Sequence, residues 1–313
     1  MNSLLNRYAA TLHRTALLLA AGCLLLLQAS AQDGKVLNRT PIPSGSDSFH
    51  AEEFTYLSDG LKIVGYMLTP TAEGKHPCII FNHGGNPQFN NLSRETVVQG
   101  RNALLASSGY VVVASQFRQH LGSEGHDEFG GRDVDDVLNL LPVLEQTPAC
   151  DATRIGMLGF SRGGMMTYRA LARTDRIRAA VVLSGLADLA LSLKARDKDA
   201  MGVVYQTYIP DYKTRKDQAL AERSAVLWAD KLCPTTPILL LHGTADWRVL
   251  TDEALEMASA LYKAKHPFRF VLFEGGSHGL PEYRSEVDRL ILNWFNDYLR
   301  DGKTWPSLDP HGK

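Results

Sequence analysis

Short, continuous runs of apolar residues recur along the chain between residues 78 and 273, and more polar, periodic stretches separate them. Runs of this kind fit β-strands that are buried on both faces, as in a parallel sheet covered by helices. The predicted strands lie at 78–81, 110–114, 155–158, 179–183, 238–241 and 268–273. The predicted helices lie at 93–107, 132–144, 163–173, 251–263 and 284–299. This alternation predicts an α/β fold with a doubly wound, mostly parallel sheet.

Two further strand-like runs, 49–56 and 61–68, precede this pattern and are joined by Asp59-Gly60. An Asp-Gly pair between two apolar runs is a strong signal for a two-residue hairpin turn. The domain is therefore expected to begin with an antiparallel pair and to span 49–313, after an extended leader over 32–48. The irregular segment 187–228 is predicted to be a small helical insertion that covers the sheet like a cap.

The charge balance limits the kinds of partner. The 313 residues include 33 Lys and Arg and 34 Asp and Glu, so the formal net charge is −1. Neither a basic excess nor an acidic tract is present, and nucleic acid is not an expected partner. A small molecule or short peptide is expected instead, and the composition gives no basis for an oligomeric state.

The N-terminus predicts export. Basic residues, among them Arg7 and Arg14, precede an apolar stretch at 16–27 that leads to small residues ending in Ala31. This order is typical of a signal peptide, here cleaved after Ala31, for a periplasmic or secreted protein. The stretch is short for a membrane span, so no membrane attachment is expected after cleavage. A retained anchor, a buried helix and a lipoprotein modified at Cys23 are the alternatives.

Three cysteines remain beyond the predicted signal peptide, namely Cys78, Cys150 and Cys233. This number allows at most one internal disulfide, for which Cys78 and Cys150 are the candidates, and buried free thiols are the simpler alternative. None of them stands in a sequence pattern that indicates a cysteine nucleophile or a metal site. No cofactor and no metal are expected.

The sequence around Ser161 has the form of a nucleophile elbow. The predicted strand 155–158 runs into Gly159-Phe160-Ser161-Arg162-Gly163, and a predicted helix follows at once. In a G-x-S-x-G elbow the serine stands at a sharp strand-to-helix turn, where the flanking positions must be small. The backbone N–H of Arg162 would then lie at a helix N-terminus, where it can stabilise an oxyanion. Ser161 is the predicted nucleophile; a glycine-rich turn with an incidental serine is the alternative.

A second oxyanion donor is expected from the loop after an earlier strand. The run 79–81 leads into Asn82-His83-Gly84-Gly85-Asn86, which stands in that place. The backbone N–H groups of Gly85 and Asn86 are therefore the predicted donors, whereas His83 is interpreted as a structural residue that supports the turn.

A serine hydroxyl needs a base, and in hydrolases with this elbow the acid and then the histidine follow the serine. His278 follows the last predicted strand on a glycine-flanked loop, and Asp246 follows the strand before it. We predict that His278 takes the Ser161 proton and that Asp246 orients and stabilises the imidazolium. All three would lie at the carboxyl ends of parallel strands, where open α/β sheets place their ligand crevice.

Other residues compete for these roles. Asp188, just past the strand 179–183, is the alternative acid. Asp135 and Asp136 lie in a helical pattern, where a solvated face or a cap is the expected role. The alternative histidines are His120, His242 and His266, of which His242 in particular is expected to be structural.

These stretches resemble the catalytic domain of the prolyl oligopeptidase family of serine peptidases, which includes dipeptidyl peptidases and acylaminoacyl peptidases. The matching stretches are 82–85, 132–137, 159–164, 242–249 and 276–278, and the resemblance runs from about residue 65 to residue 299. It implies the α/β-hydrolase fold, triad roles for Ser161, Asp246 and His278, and an oxyanion contribution from the Arg162 N–H.

Two features differ from larger members of that family. Those members carry an N-terminal β-propeller that filters peptide substrates, and here little sequence separates the predicted signal peptide from the hydrolase domain. They also often have a tyrosine hydroxyl as second oxyanion donor, where this chain has Pro87-Gln88-Phe89. Both peptidase activity and esterase activity, on acyl or carbohydrate esters, therefore stay open.

The predicted function is hydrolysis of an ester or short peptide bond through an acyl-enzyme. A catalytically silent binding protein on the same fold, and a lyase or isomerase independent of the serine, are alternatives that a complete triad disfavours. In the insertion, Tyr205, Tyr208 and Trp228 are weak candidates for contact with the substrate. Packing of the insertion against the sheet is the alternative role for these aromatic residues.

Overall fold

The computed structural model describes residues 32–196 and 201–310. The predicted signal peptide, its cleavage site at Ala31 and the alternative lipid attachment at Cys23 lie outside these residues. Nine strands form one sheet. They are β1 (Val36–Ile42), β2 (Phe49–Ser58), β3 (Leu61–Pro70), β4 (His76–Asn82), β5 (Val111–Ser115), β6 (Cys150–Phe160), β7 (Ile177–Leu183), β8 (Ile238–Gly243) and β9 (Phe268–Phe273).

Ten α-helices lie within the described residues. They are α1 (Arg94–Val97), α2 (Gly100–Ser107), α3 (Asp133–Leu138), α4 (Leu140–Glu145), α5 (Arg162–Leu171), α6 (Leu189–Arg196), α7 (Met201–Tyr208), α8 (Tyr212–Ala221), α9 (Thr251–Lys263) and α10 (Arg284–Phe295). Short 3₁₀ turns at Ala225–Leu227, Ala229–Lys231 and Pro281–Tyr283 and a π-helical turn at Asn296–Arg300 complete them. None of the helices in the described ranges has both the length and the apolar content that crossing a membrane requires.

The strand order in the sheet is β1-β2-β3-β5-β4-β6-β7-β8-β9. The pairs β1–β2, β2–β3 and β3–β5 are antiparallel, and from β5 through β4 to β9 all pairs are parallel. This is the predicted α/β-hydrolase fold, and the fold class is confirmed. The predicted hairpin is also present, since Asp59 (φ 52°) and Gly60 (φ 77°) form the two-residue turn between β2 and β3.

The continuous apolar runs arise because helices cover both faces of the sheet. In β4, Cys78 and Ile80 belong to one hydrophobic cluster, whereas the intervening Ile79 belongs to the cluster on the other face. Neither face can therefore tolerate polar residues, which removes the alternation seen in half-exposed strands. Cys78 and Cys150 are buried free thiols in this structure, so the possible disulfide between them is not formed.

Three local features differ from the sequence prediction. The segment expected as an extended leader contains β1, which pairs with β2 at the edge of the sheet. Five of the seven β1 residues are exposed, so this strand has no apolar pattern to reveal it. The helix expected at 93–107 is divided into α1 and α2, and the one expected at 132–144 is divided at Asn139 into α3 and α4. The segment 187–228, in contrast, is helical as expected, since it contains α6, α7 and α8.

Candidate active site

Ser161 lies at the turn between β6 and α5, at the carboxyl edge of the parallel strands. Its backbone has φ 57° and ψ −121°, a conformation that residues with a side chain rarely adopt. A Cβ atom on Gly163 would come within 1.9 Å of the Asn82 carbonyl oxygen, and one on Gly159 within 2.3 Å of the Gly163 carbonyl oxygen. The two glycines are therefore required by close backbone approach, as a nucleophile elbow demands.

His278 and Asp246 form a hydrogen-bonded pair across two loops. His278 Nδ1 lies 2.8 Å from Asp246 Oδ2, and it donates because the carboxylate can only accept. The other carboxylate oxygen accepts hydrogen bonds from the backbone N–H groups of Arg248 (2.9 Å) and Val249 (3.1 Å). Burial alone would raise the pKa of Asp246, but the hydrogen bond and the charge of His278 outweigh it and hold the pKa below its ordinary value. Asp246 is therefore ionised and fixes the ring of His278.

Ser161 lies close to this pair. The ring of Phe160, the residue before the serine, lies 5.0 Å from the ring of His278, measured between centroids. The Gly279 N–H donates a 3.1 Å hydrogen bond to Ser184 Oγ, which anchors the histidine loop to the end of β7 beside the elbow. Within the described part of the chain, no hydrogen bond joins Ser161 and His278. Catalytic hydrogen bonds often tighten only when substrate binds, so a structure without this bond is compatible with a triad.

The oxyanion donors are only partly as predicted. The Arg162 N–H lies in the first turn of α5, where helix N–H groups have no partner within the helix. Gly85 has φ 90°, and its N–H makes no hydrogen bond within the described residues. Asn86, in contrast, donates its N–H to the Phe89 carbonyl oxygen at 2.9 Å. The prediction of Asn86 as an oxyanion donor is therefore wrong, because its N–H is used in a tight turn.

The Arg162 side chain, for which the sequence predicts no role, connects the elbow to the loop 83–86 after β4, here called the oxyanion loop. Its guanidinium is buried and forms ion pairs with Asp127 (2.6 Å) and Asp133 (2.5 Å). It also donates a 3.3 Å hydrogen bond to the Gly85 carbonyl oxygen. The aspartates precede it by 35 and 29 positions, so no local pattern reveals this contact.

The alternative acids have other partners. Asp188 Oδ1 accepts the backbone N–H groups of Ala190 (2.9 Å) and Leu191 (3.1 Å), so this side chain caps α6. Asp136 was not expected in the core, yet it is fully buried and pairs with Arg118 at 2.8 Å. The expectation of a solvated face is therefore wrong for Asp136. Asp135 is partly exposed and pairs with Arg173, as a solvated face predicts.

The alternative histidines are also engaged elsewhere. The ring of His242 bonds to the Val249 carbonyl oxygen (2.9 Å), and that of His266 to the Thr236 carbonyl oxygen (2.8 Å). His120 lies 2.8 Å from Asp127, on the far side of the Arg162 guanidinium. His242 Nε2 also lies 3.6 Å from Asp246 Oδ2, but His278, at 2.8 Å, is the histidine that forms the hydrogen bond with this carboxylate.

The His83 side chain stabilises the oxyanion loop. Its Nδ1 donates a 2.7 Å hydrogen bond to the Gly84 carbonyl oxygen, and its ring stacks on Phe117 with 4.4 Å between centroids. Burial lowers the pKa of His83 to about 3, with a smaller contribution from the nearby His120. The residue is neutral at ordinary pH and its role is structural, in keeping with the sequence interpretation.

A cavity of about 340 Å³ opens beside Ser161. Its lining comes from the oxyanion loop, the elbow, the insertion and the loop after β8. The lining residues are Gly85, Asn86, Phe89, Phe129, Ser161, Arg162, Leu186, Arg196, Met201, Val204, Arg248 and Val249. This cavity is the candidate substrate site.

The three aromatic residues of the insertion do not line this cavity. Tyr205 is fully buried, and the Tyr208 hydroxyl donates to the Gln88 side chain. Trp228 donates its ring N–H to the Ala221 carbonyl oxygen at 3.2 Å. All three pack the insertion against the rest of the domain, which is the alternative role considered for them. The insertion reaches the cavity instead through Arg196, Met201 and Val204.

A strained serine elbow and a histidine–carboxylate pair at one edge of a parallel sheet define a serine hydrolase of the α/β-hydrolase fold. The family model "Peptidase_S9: Prolyl oligopeptidase family" matches residues 97–302, which is more than half of the chain. The chain belongs to the prolyl oligopeptidase family and is an enzyme of the serine hydrolase class.

Individual relatives agree with this assignment. The chain is 24% identical to the Bacillus subtilis (strain 168) protein "Uncharacterized peptidase YtmA" over 264 residues, which cover 84% of this chain and 99% of the relative. It is 24% identical to "Dipeptidyl-peptidase 5" of Porphyromonas gingivalis over 257 residues, or 78% of this chain and 37% of the relative.

Solved structures share the fold. A puromycin-hydrolyzing peptidase of Mycobacterium tuberculosis is 25% identical with a TM-score of 0.66, and the match covers 77% of this chain and 38% of that one. The Pyrococcus horikoshii acylaminoacyl peptidase is 24% identical with a TM-score of 0.69, covering 85% and 44%. The chain thus spans nearly all of one bacterial relative and 37% to 44% of the larger proteins.

Proposed function

We propose that the protein hydrolyses a short peptide, amide or ester bond through an acyl-enzyme formed on Ser161. The observation that carries this proposal is the Asp246–His278 pair, at 2.8 Å, beside a serine held at positive φ. The cavity at Ser161 lies near the lower end of the range for ligand pockets, roughly 300 to 1,000 Å³. A short substrate therefore suits it better than a long chain.

In the proposed mechanism, His278 acts as the base. Because Nδ1–H donates to Asp246, Nε2 carries the free electron pair and accepts the Ser161 proton as Oγ attacks the carbonyl carbon. Asp246 stabilises the resulting imidazolium. The N–H groups of Arg162 and Gly85 donate to the oxyanion of the tetrahedral intermediate. His278 then gives the proton to the leaving group, and water repeats the sequence to release the acyl group.

Peptide and amide substrates are favoured over esters by the family and by the names of the relatives, several of which are called peptidases. Ester hydrolysis stays the second candidate, because the same acyl-enzyme chemistry cleaves the weaker bond more easily. A catalytically silent binding protein is disfavoured by the intact Asp246–His278 pair.

Labelling with a fluorophosphonate probe tests the mechanism. The wild-type protein and the exposed-serine control Ser48→Ala should label equally, and Ser161→Ala should not label. Absence of label on the wild-type protein would overturn the proposal and favour a binding function. A parallel turnover screen of aminoacyl amides, acyl esters and acetylated sugars then separates peptidase from esterase activity.

We also propose that the protein is exported, on the strength of the charged, apolar and small-residue order that ends at Ala31. The intact mass of the protein purified from its own cells tests this. Cleavage after Ala31 should give a mature chain that starts at Gln32. A lipid-modified chain that starts at Cys23 would replace this cleavage site, and a chain that keeps residues 1–31 would contradict export.

A further inference from the structure

A second cavity, of about 260 Å³, lies next to the elbow and is separate from the cavity at Ser161. Phe160 and Gly84 line this second cavity. Their neighbours Ser161, Arg162 and Gly85 line the first. Gly84 also packs against the nucleophile, since a Cβ atom there would come within 3.0 Å of the Ser161 Cβ. The elbow and the oxyanion loop therefore stand between two cavities that both border the catalytic residues.

The second cavity is on the histidine side of the elbow. The ring of Phe160, which lines it, is 5.0 Å from the ring of His278, measured between centroids. Arg101, also in the lining, donates a 3.4 Å hydrogen bond to the Gly279 carbonyl oxygen on the histidine loop. In the proposed mechanism His278 gives its proton to the leaving group, so this group must lie next to the imidazole. The second cavity is therefore in the right place to hold a leaving group.

The first turn of α2 borders this cavity and has free hydrogen-bond donors. The N–H groups of residues 100–102 have no acceptor within the helix, and no side chain of the described residues caps it. Such helix N-termini favour anions, because the N–H groups and the helix dipole both point toward them.

Asn102 is a second, independent sign of a ligand. It lines the cavity and is only 5% exposed, and its Oδ1 atom has no hydrogen-bond partner within the described residues. Burying an amide without a partner costs free energy, so such groups are normally satisfied. The unpaired side chain therefore indicates that a bound molecule supplies a polar group here.

The charged side chains around the cavity also favour an anion. Arg101 and Arg284 line it, and no Asp or Glu of the described ranges does. The two arginines share one carboxylate: Asp288 Oδ1 lies 2.8 Å from Arg101 Nε, and its Oδ2 lies 3.7 Å from Arg284 Nε. Two positive charges thus meet one negative charge, and the three groups together are positive. The Arg284 side chain is 60% exposed, so it is free to turn toward a ligand.

We infer that the second cavity binds the leaving group of the substrate, and that this group is an amino acid with a free α-carboxylate. This deepens the proposed function and rests on it. The carboxylate accepts hydrogen bonds from the first turn of α2 and from Asn102, with Arg284 beside it. When the C–N bond breaks, His278 passes its proton to the amine nitrogen and the amino acid leaves. The preferred substrate is then a dipeptide or a short peptide that ends one residue after the scissile bond.

The size and the wall of the cavity suit a single amino acid. A cavity of roughly 150 Å³ is enough for benzene. About 260 Å³ therefore has room for a ring together with a carboxylate. Apolar side chains form the part of the wall that a side chain of the leaving group would contact. They are Phe81, Leu92, Leu158, Phe160 and Leu183.

A matched pair of substrates tests the inference. Alanyl-phenylalanine and alanyl-phenylalaninamide differ only at the C-terminus, where a neutral amide replaces the carboxylate. The ratio of their kcat/KM values should favour the acid in the wild-type enzyme. It should fall roughly tenfold to a hundredfold in Arg284→Gln and in Asn102→Leu, the range for loss of a charged hydrogen bond. Arg284→Lys keeps the charge and should retain most of the preference.

Controls separate binding of the carboxylate from general damage. Arg289→Gln removes an arginine of similar exposure, 62%, from the same helix α10, and Arg289 does not line the cavity. The substrate ratio should therefore stay at its wild-type value in this variant. The preference for the acid should weaken as ionic strength rises, since salt screens the attraction. Melting temperatures show whether Asn102→Leu is folded, and the exposed Arg284→Gln keeps the test valid if it is not.

Two results would overturn the inference while leaving the mechanism intact, provided that the wild-type protein labels normally with the fluorophosphonate. One is equal or better use of the amide by the wild-type enzyme, or cleavage of neither dipeptide. The other is a wild-type ratio in Arg284→Gln, which would mean that the arginine does not bind the carboxylate. Failure of the wild-type protein to label would instead remove the proposed function itself.

Discussion

Two histidine–carboxylate pairs stand on either side of Ser161. The residue before the serine, Phe160, contacts His278, which bonds to Asp246 at 2.8 Å. The residue after it, Arg162, pairs with Asp127, which bonds to His120, also at 2.8 Å. The chemical groups and the distances are the same, and their surroundings differ.

The surroundings decide what each pair can do. The second ring nitrogen of His120 lies 2.5 Å from Asn91 Oδ1, and both members of that pair are fully buried. The side chain of His278 is 13% exposed, and within the described residues only its Nδ1 has a hydrogen-bond partner. A histidine with one free nitrogen at a cavity can move a proton, whereas one with both nitrogens engaged can only hold structure. The first pair is therefore a catalytic candidate, and the second clamps the oxyanion loop.

The largest expected effect comes from removing the nucleophile or the base. Ser161→Ala and His278→Ala should each lower kcat by about 10⁶, since members of a triad act as a unit. Circular dichroism and the melting temperature should show folded protein in both. Near-wild-type turnover by either variant would mean that another residue carries the reaction.

Removing the charge of the acid should have the next largest effect. Asp246→Asn should lower kcat about 10⁴-fold, because an amide cannot hold His278 in the right tautomer. Asp188→Asn is the matched control: it keeps a capping side chain on α6 and should leave turnover within a few-fold of wild type. The opposite pattern in steady-state kinetics would assign the acid role to Asp188.

The same substitution in the second pair should act on stability. Asp127→Asn leaves Arg162 with one carboxylate partner and should lower the free energy of unfolding by about 3 kcal/mol, as for other broken buried ion pairs. Urea unfolding measures this. Turnover per folded molecule should fall far less than in Asp246→Asn. If Asp127→Asn instead kept wild-type stability and lost 10⁴-fold in kcat, Asp127 would be a catalytic residue and the two pairs would not differ in role.

The smallest expected effect is a pH dependence that His83 adds to stability. Its folded pKa of about 3 lies below the ordinary value, so the unfolded chain binds the proton more readily. The contribution of the neutral His83 to the free energy of unfolding is complete above about pH 6.5. It is lost as the pH falls toward 3, at about 1.4 kcal/mol per pH unit. The difference between the urea midpoints at pH 7 and pH 5 should therefore be smaller in His83→Asn than in the wild-type protein. An unchanged difference would show that His83 does not cause the acid sensitivity.

Much of the site can be predicted because its residues follow strand ends. The runs before Ser161, Asp246 and His278 are apolar enough to identify β6, β8 and β9, and the carboxyl ends of parallel strands meet at one edge. The glycines around Ser161 could be interpreted in the same way, since a sharp elbow excludes side chains locally. None of these inferences needs a contact between distant side chains.

The remaining features depend on such contacts. Arg162 occurs in the elbow motif, but its partners Asp127, on a loop, and Asp133, at the start of α3, lie far from it in the sequence, so no local pattern predicts the contact. The Asn86 N–H cannot serve as an oxyanion donor because it bonds to the Phe89 carbonyl oxygen in a turn, and only the loop conformation shows this bond. The β1 strand could not be predicted because it lies at the exposed edge of the sheet, where its residues need not be apolar.

The fold class, the alternation of buried strands with helices, and the candidate serine, acid and histidine could be predicted from the sequence alone, because periodicity and tight turns are properties of neighbouring residues. Which histidine keeps a free nitrogen, which aspartate is buried and which arginines face the cavity were decided by the tertiary structure. These outcomes depend on desolvation and on hydrogen bonds between loops far apart in the chain, and neither is encoded in a local pattern.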